Sequence, residues 1–368
     1  MAQGVLAILG SGETAPGMTK IHREMLASLQ PRNAVNIDSA YGFQLNVPQM
    51  SEKLEEYFDT SLHLKMTTLH FSSYERASEL ERTLFKQQVR QADYVFAGPG
   101  SPTYALAQWA PLHFEEDLLS VLNKGGGVCF ASAASLTLGA YTAPIYEIYK
   151  VGDQRPQWRE GLNVLDHFGL RCVVIPHFDN NEGGNYDTRY CYLGEPRLTA
   201  LEAMLPDDVA TLGVDEHTAA IIDLESDTIT VKGRSNAYWR HNGNQKTLAN
   251  GTTTDLDQLR NAEVVPRLQP SVIETSSERN PTELALIAAT DSEEATGALA
   301  QLVQLAATGG QGFVDPAPLI EGVLKARVSA RSSGQYELAD ELRDVLVAAG
   351  FEIRDEPSGT VWSHHAEG

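Results

Sequence analysis

The chain has 368 residues, more than the ~100–200 of a usual domain, which argues for one large domain with a smaller companion. Hydrophobic residues at 42% and charged residues at 21% are ordinary for a soluble globular protein, and no apolar run approaches the roughly 18 residues that a bilayer span needs. The formal charge of −21 disfavours non-specific contact with nucleic acid or an anionic membrane, because such contact relies on Lys and Arg.

The first apolar stretch, V-L-A-I-L, lacks a basic flank and runs straight into G-S-G-E. It suits a buried first strand better than a signal peptide, so the chain is expected to be cytoplasmic. From there to about Leu224, short β-branched runs alternate with stretches of helical period, the signature of βαβ units and a parallel sheet. The candidate strands are V-L-A-I-L, A-V-N-I-D, T-T-L-H-F, Y-V-F-A, V-C-F-A and V-V-I-P. In open parallel sheets ligands bind outside the carboxyl ends of the strands. Four junctions of that kind stand out: G-S-G-E-T, G-P-G-S-P-T-Y, A-S-A-A-S and P-H-F-D-N-N-E. Cys129, Cys172 and Cys191 are odd in number and widely spaced, with no C-x-x-C pair, which argues against a disulfide framework or a structural zinc site and fits a reducing compartment.

A terminal hairpin, A-I-I-D-L-E-S-D-T-I-T-V-K-G, closes the α/β region, residues 1–241. The polar stretch from Asn242 to Asn280 reads as a linker. Beyond it, residues 281–368 read as a helical domain, with helices opening at Thr282, spanning Pro316 to Ser332, and spanning Tyr336 to Ala349, where Gly350 is a plausible stop.

Three junctions carry chemistry. Ser132 lies in C-F-A-S-A-A-S-L-T-L-G, at a strand end with alanines on both sides, the setting of a nucleophile elbow or of a tight Ala-rich packing junction. The amide of Gly100 in Gly98-Pro99-Gly100-Ser101-Pro102-Thr103, together with that of Ala133, would form an oxyanion hole. That loop lacks the lysine and the glycine spacing of a nucleotide cradle. His177 is the candidate general base, and it needs an acid to fix its tautomer. Asp215 and Glu216 of G-V-D-E-H-T-A supply that acid, with the choice between them open.

In this order, G-P-G-S-P-T-Y-A-L, A-S-A-A-S, I-P-H-F-D-N and G-V-D-E-H-T-A resemble the motifs of the serine peptidases that include cyanophycinase and dipeptidase E, over about Val5 to Gly233. The resemblance implies a class I glutamine amidotransferase-like, flavodoxin-like α/β fold. It also implies a triad of Ser132, His177 and Glu216, with Gly100 and Ala133 as oxyanion donors, cleaving bonds next to aspartyl residues. Where that family has glycines on either side of the serine, this chain has Phe130 and Ala134. A bulky Phe130 either faces into the sheet or signals a relaxed elbow, and in the second case the chain would be a non-catalytic binding or regulatory protein.

Between the histidine and the acid pair lies a polar loop. Asp179, Asn180 and Asp215 are candidate substrate-binding residues, and Arg189 either holds a substrate carboxylate bidentately or pairs with Asp187 or Glu195. His177, Asp179 and Glu182 share one loop with no partner histidine nearby, and neither a metal nor a cofactor is expected.

The tail carries a second resemblance. A-R-V-S-A-R, L-A-D-E-L-R-D and G-F-E-I-R-D-E-P-S-G-T-V-W, over about Leu319 to Trp362, look like the C-terminal end of cysteinyl-tRNA synthetases. This implies RNA contact through Lys325, Arg327 and Arg331. The other reading is a small bundle built on Ala339, Leu342 and Leu346 that serves packing or dimerisation. The nucleotide motifs of an aminoacylating enzyme do not occur, so aminoacylation is rejected for the chain as a whole.

Overall fold

The computed structural model describes residues 3–262 apart from 154–156, 185 and 242–243. In the C-terminal region it describes Ile320, Val323, Leu324, Arg327, Arg331 and residues 336–348, 351–356 and 359–364. The chain divides into two compact units, Met1–Arg267 and Leu268–Gly368.

The first unit alternates strands and helices: β1 (Val5–Leu9), α1 (Pro16–Leu29), β2 (Ala34–Ile37), α2 (Val47–Leu62), β3 (Met66–Leu69), α3 (Glu79–Gln91), β4 (Tyr94–Ala97), α4 (Pro102–Trp109), α5 (Phe114–Asn123), β5 (Gly127–Ala131) and the single turn α6 (Ala133–Leu136). After these come β6 (Tyr141–Thr142), β7 (Arg159–Glu160), β8 (Cys172–Ile175), α7 (Gly194–Glu202), β9 (Ala210–Val214), β10 (Thr218–Asp223), β11 (Thr228–Gly233), β12 (Ala237–His241), β13 (Asn244–Leu248), β14 (Thr253–Asp255) and α8 (Asp257–Arg260).

Eight strands form one sheet in the order β14-β11-β10-β1-β5-β4-β2-β3, parallel from β1 to β3 and antiparallel on the other side of β1. This is a flavodoxin-like α/β arrangement, and β5 shows why the sequence builds it. Val128 and Phe130 face one apolar layer with Phe85, Leu106, Trp109 and Leu118 of α3, α4 and α5. Cys129 and Ala131 face the opposite layer with Met18, Ile21 and Met25 of α1 and Phe58 of α2. A strand covered on both faces has no polar side to alternate, which is why it reads as an unbroken apolar run.

Two expectations need correction. The sixth candidate strand, β8, does not extend the main sheet; it pairs in parallel with β9 in a second sheet of order β13-β12-β9-β8. The stretch from Asn242 does not begin as a linker, because β13 pairs with β12 and β14 pairs with β11, while Leu256 and Leu259 are buried in the main core. Alternating Thr and polar residues conceal these edge strands, whose outer faces meet solvent. The rest of the expected linker and the expected helix from Thr282 lie outside the described residues.

In the second unit, α9 (Tyr336–Ala348) matches the expected third helix to within one residue. The region is not helical throughout: β15 (Phe351–Glu356) and β16 (Gly359–His364) form an antiparallel hairpin with Phe351 opposite His364. Ala339, Leu342 and Leu346 are buried along α9, as are Ile320, Val323 and Leu324. Arg327 is buried rather than presented outward, Arg331 is exposed, and Lys325 lies outside the described residues.

Candidate active site

Strand register brings the first three junctions side by side. Leu9 stands opposite Ala131, and Ala97 opposite Phe130, so the chain leaves β1, β5 and β4 at one level. The Ser132 amide donates to the carbonyl of Leu9 at 3.1 Å, and the Ala134 amide to that of Gly98 at 3.3 Å. Ser132 has φ 50° and ψ −120°, a sparsely populated backbone region that throws its side chain out of the strand-to-helix turn. Phe130 is fully buried against Trp109, ring centroids 5.7 Å apart. It therefore faces the core, and the elbow is tight despite lacking the flanking glycines.

The second sheet delivers the base and the acid. His177 follows β8, with its amide donating to Gly10 O at 3.2 Å, while Phe178 N donates to Val214 O at the end of β9. Both links need glycines: a Cβ on Gly10 would lie 2.0 Å from Asp215 O, and one on Gly213 would lie 2.4 Å from the Phe178 ring. The result is a hydrogen-bonded line. Ser132 Oγ is 2.9 Å from His177 Nε2, and His177 Nδ1 is 2.8 Å from Glu216 Oε1. The hydrogen bond from His177 is the main reason the Glu216 carboxyl is held below its ordinary value of 4.5, against the opposing effect of burial.

Of the two candidate acids, then, Glu216 meets the histidine. Asp215 turns the other way and is buried: Ser235 Oγ donates to its carboxylate at 2.6 Å, as do Asn236 N and Tyr238 Oη at 3.1 Å. Burial raises its carboxyl pKa. Asp179 and Asn180 also stand behind the acid. Asp179 Oδ1 accepts from Glu216 N at 2.7 Å, and Asn180 Nδ2 donates to Glu216 Oε1 at 3.1 Å. None of these three lines the cleft in front of Ser132; Asp179 and Asn180 brace Glu216, and Asp215 is bonded to Ser235, Asn236 and Tyr238. Arg189 is likewise engaged elsewhere. Its guanidinium grips Asp187 bidentately at 2.8 Å per bond, which holds the Asp187 carboxyl far below its ordinary range.

The cleft measures about 350 Å³ and opens between Gly100, Ser132, Ala133 and His177 on one side and Tyr149, Lys150, Glu182, Cys191 and Tyr192 on the other. Among the described residues, neither the amide of Gly100 nor that of Ala133 has a protein acceptor. Gly100 is the only residue type that fits there: its φ is +149° and a Cβ would sit 2.0 Å from Ala40 O. Of the far wall, the sequence singled out the polar loop that carries Glu182 and Cys191 but not Tyr149 and Lys150. Tyr149 and Lys150 lie on a π-helical turn, Glu147–Val151, which has no composition signal. Tyr149 stacks on Tyr192, ring centroids 4.4 Å apart, and Tyr192 Oη donates to the Glu182 carboxylate. Cys191 is buried, and burial pushes its thiol up to about 12, far from a nucleophilic thiolate. All three cysteines are free and buried. Among the described residues, no three His, Cys, Asp or Glu side chains converge in a metal-holding group, and no helix is long and apolar enough to cross a membrane.

No family model matches the chain. Its structure is similar to that of a peptidase from an acI-B1 Actinobacterium, with a TM-score of 0.55 at 20% identity, over 69% of this chain and 97% of that one. A putative peptidase E protein from Listeria monocytogenes EGD-e superposes over 64% of this chain, with a TM-score of 0.43 at 14% identity. In sequence, 49 residues are 47% identical to a cysteine–tRNA ligase of Nitratidesulfovibrio vulgaris, and 60 residues are 45% identical to that of Beutenbergia cavernae. Those matches cover 13% and 16% of this chain and only 10% and 12% of the two ligases. The larger part of the chain thus has the flavodoxin-like α/β fold of the actinobacterial peptidase, and a short C-terminal segment is similar to part of the cysteine–tRNA ligases.

Proposed function

We propose that the α/β unit is a serine hydrolase that cleaves a small peptide or isopeptide, with bonds next to aspartyl residues as the first to try. The observation that carries this reading is the unbroken line from Ser132 Oγ through His177 to Glu216 at 2.9 and 2.8 Å, starting from a strained elbow. In the reaction, His177 Nε2 takes the hydroxyl proton as Ser132 Oγ attacks the carbonyl carbon. The amides of Gly100 and Ala133 hold the developing oxyanion, and His177 returns the proton to the leaving amine. Water then attacks the acyl-serine with the same histidine as base. Glu216, braced by Asn180 and Asp179, keeps the proton of the neutral imidazole on Nδ1 so that Nε2 is free to accept.

The test is labelling of the purified protein by a fluorophosphonate probe, beside cleavage of a panel of Asp-Xaa and β-Asp-Xaa dipeptides. Labelling that Ser132→Ala abolishes is expected. If wild type and Ser132→Ala label alike and no peptide is cut, the hydrolase reading fails and a non-catalytic binding role takes its place.

A further inference from the structure

The register that brings Leu9, Ala97 and Ala131 level continues outward through the sheet. Ile37 stands opposite Ala97 on one side and Leu69 on the other, so Gly98, Asp38 and His70 open three adjacent loops at the carboxyl ends of β4, β2 and β3. Asp38, the middle one, is buried. Both oxygens of its carboxylate are taken by the loop after β3: Oδ1 accepts from Phe71 N at 2.9 Å and Oδ2 from His70 Nδ1 at 2.7 Å. Ser39 Oγ adds a third tie, donating to Phe71 O at 2.7 Å. Asp38 also starts the turn that touches the oxyanion loop. Its carbonyl accepts from Tyr41 N at 3.1 Å, closing a single 3-10 turn, Ser39–Tyr41, and the Ala40 carbonyl in that turn accepts from Ser101 N at 2.8 Å. This is the carbonyl that a Cβ on Gly100 would meet at 2.0 Å, so the turn and the glycine are in backbone contact. A buried carboxylate costs several kcal/mol in desolvation and is tolerated when its oxygens are bonded. Here the bonds fix the turn from behind, while Ala40 fixes Ser101 in front. The chain of contacts ends at the Gly100 amide, which has no protein acceptor among the described residues and must stand ~2.7–3.1 Å from a developing oxyanion. At that distance a displacement of ~1 Å costs on the order of 100-fold in rate.

We propose that Asp38 is a positioning residue of the active site: it holds the Ser39–Tyr41 turn against the loop at 98–102 and so aims the Gly100 amide at the oxyanion. The role rests on the hydrolase reading, and one of its two readouts is independent of turnover. The experiment compares the full chain with Asp38→Ala, Asp38→Asn and His70→Ala, and with Asp117→Asn, which alters another buried carboxylate, one that pairs with Lys86 and Arg90. Hydrogen exchange is followed at the Ser101 amide, whose neighbours Pro99 and Pro102 carry no N–H. Fluorophosphonate labelling is followed over probe concentration, which separates probe binding from reaction at saturation. Asp38→Ala should speed Ser101 exchange on the order of ten-fold. It should slow labelling at saturation about 10–100-fold with the half-saturating concentration unchanged. His70→Ala removes one of the two bonds at an exposed ring and should move both readouts the same way by a smaller factor, so the test stands even if Asp38→Ala does not fold. Asp38→Asn can keep both bonds, accepting from Phe71 N and donating to the other tautomer of His70, and should stay within about three-fold of wild type. Asp117→Asn should lower the melting temperature and leave Ser101 exchange and labelling unchanged. Ser101 exchange as slow as in wild type in whichever of Asp38→Ala and His70→Ala folds, unchanged labelling at saturation in them, or equal slowing by Asp117→Asn overturns the role. Faster Ser101 exchange in these variants, when wild type itself shows no Ser132-dependent labelling, leaves the hold on the loop standing and removes the hydrolase reading alone.

Discussion

At Ser132 function and stability pull apart. The backbone at φ 50° and ψ −120° stores on the order of 1–3 kcal/mol that a glycine would not pay. Ser132→Gly is therefore expected to be more stable than Ser132→Ala by about 1 kcal/mol in urea denaturation, with neither variant labelled. Glu216 separates chemistry from stability in another way. Glu216→Gln offers His177 an amide in place of a carboxylate, and turnover should fall by about 10³-fold or more, as expected when the imidazole loses the anion that fixes its tautomer. The Glu216 carboxyl is held below its ordinary 4.5, so its stabilising contribution is present above that pH and lost as pH falls through the folded value. The stability gap between wild type and Glu216→Gln should thus be constant at neutral pH and close below about pH 4.5. A gap that persists under acid would show that the pair contributes nothing through its charge. Sequence reasoning could name Ser132 and His177 because their chemistry is local to a strand end, and it narrowed the acid to Asp215 or Glu216, with Glu216 put forward by the family resemblance alone. It could not tell Glu216 from Asp215, because adjacent residues differ only in which side of the chain the fold turns them to.

Among the elements, loops set the cleft, and their demands are steric. A Cβ at Gly100 would overlap the Ala40 carbonyl at 2.0 Å, and φ +149° is closed to L side chains, so Gly100→Ala should cost more than about 2 kcal/mol in chemical denaturation and reduce labelling at Ser132. A variant as stable and as reactive as wild type would mean that this loop is free to move away. On the opposite wall, Tyr190, Cys191 and Tyr192 all have positive φ, at 60°, 56° and 67°. Such conformations cost roughly 1–2 kcal/mol per residue, and here Tyr190 N and Cys191 N are tied to Phe178 O and His177 O at 3.0 and 3.1 Å. The strained turn is thus fastened to the backbone of the histidine itself, which explains how a polar loop with no motif comes to wall the cleft. It also explains why Arg189, one residue away, points along the loop to Asp187 and not into the site.

The whole molecule is two units, Met1–Arg267 and Leu268–Gly368, and the first has its own core. A chain ending at Arg267 is expected to keep the labelling rate at Ser132 within about two-fold, measured beside full-length protein; loss of labelling would make the tail part of the catalytic unit. Full-length protein is expected to bind tRNA no more tightly than the shortened chain in a filter-binding titration, because the net charge of −21 opposes phosphate. A tail-dependent gain that falls steeply with salt would assign RNA contact to the tail instead. What the sequence by itself determined is the α/β class, the five central strands and the four junctions, because apolar runs covered on both faces and the turns that end them are encoded within a few residues. Only tertiary structure decided that β8 and β9 leave the main sheet, that Phe130 faces Trp109 and that Glu216 takes the histidine. Each of those depends on which distant segments pack together, and neither composition nor period carries that information.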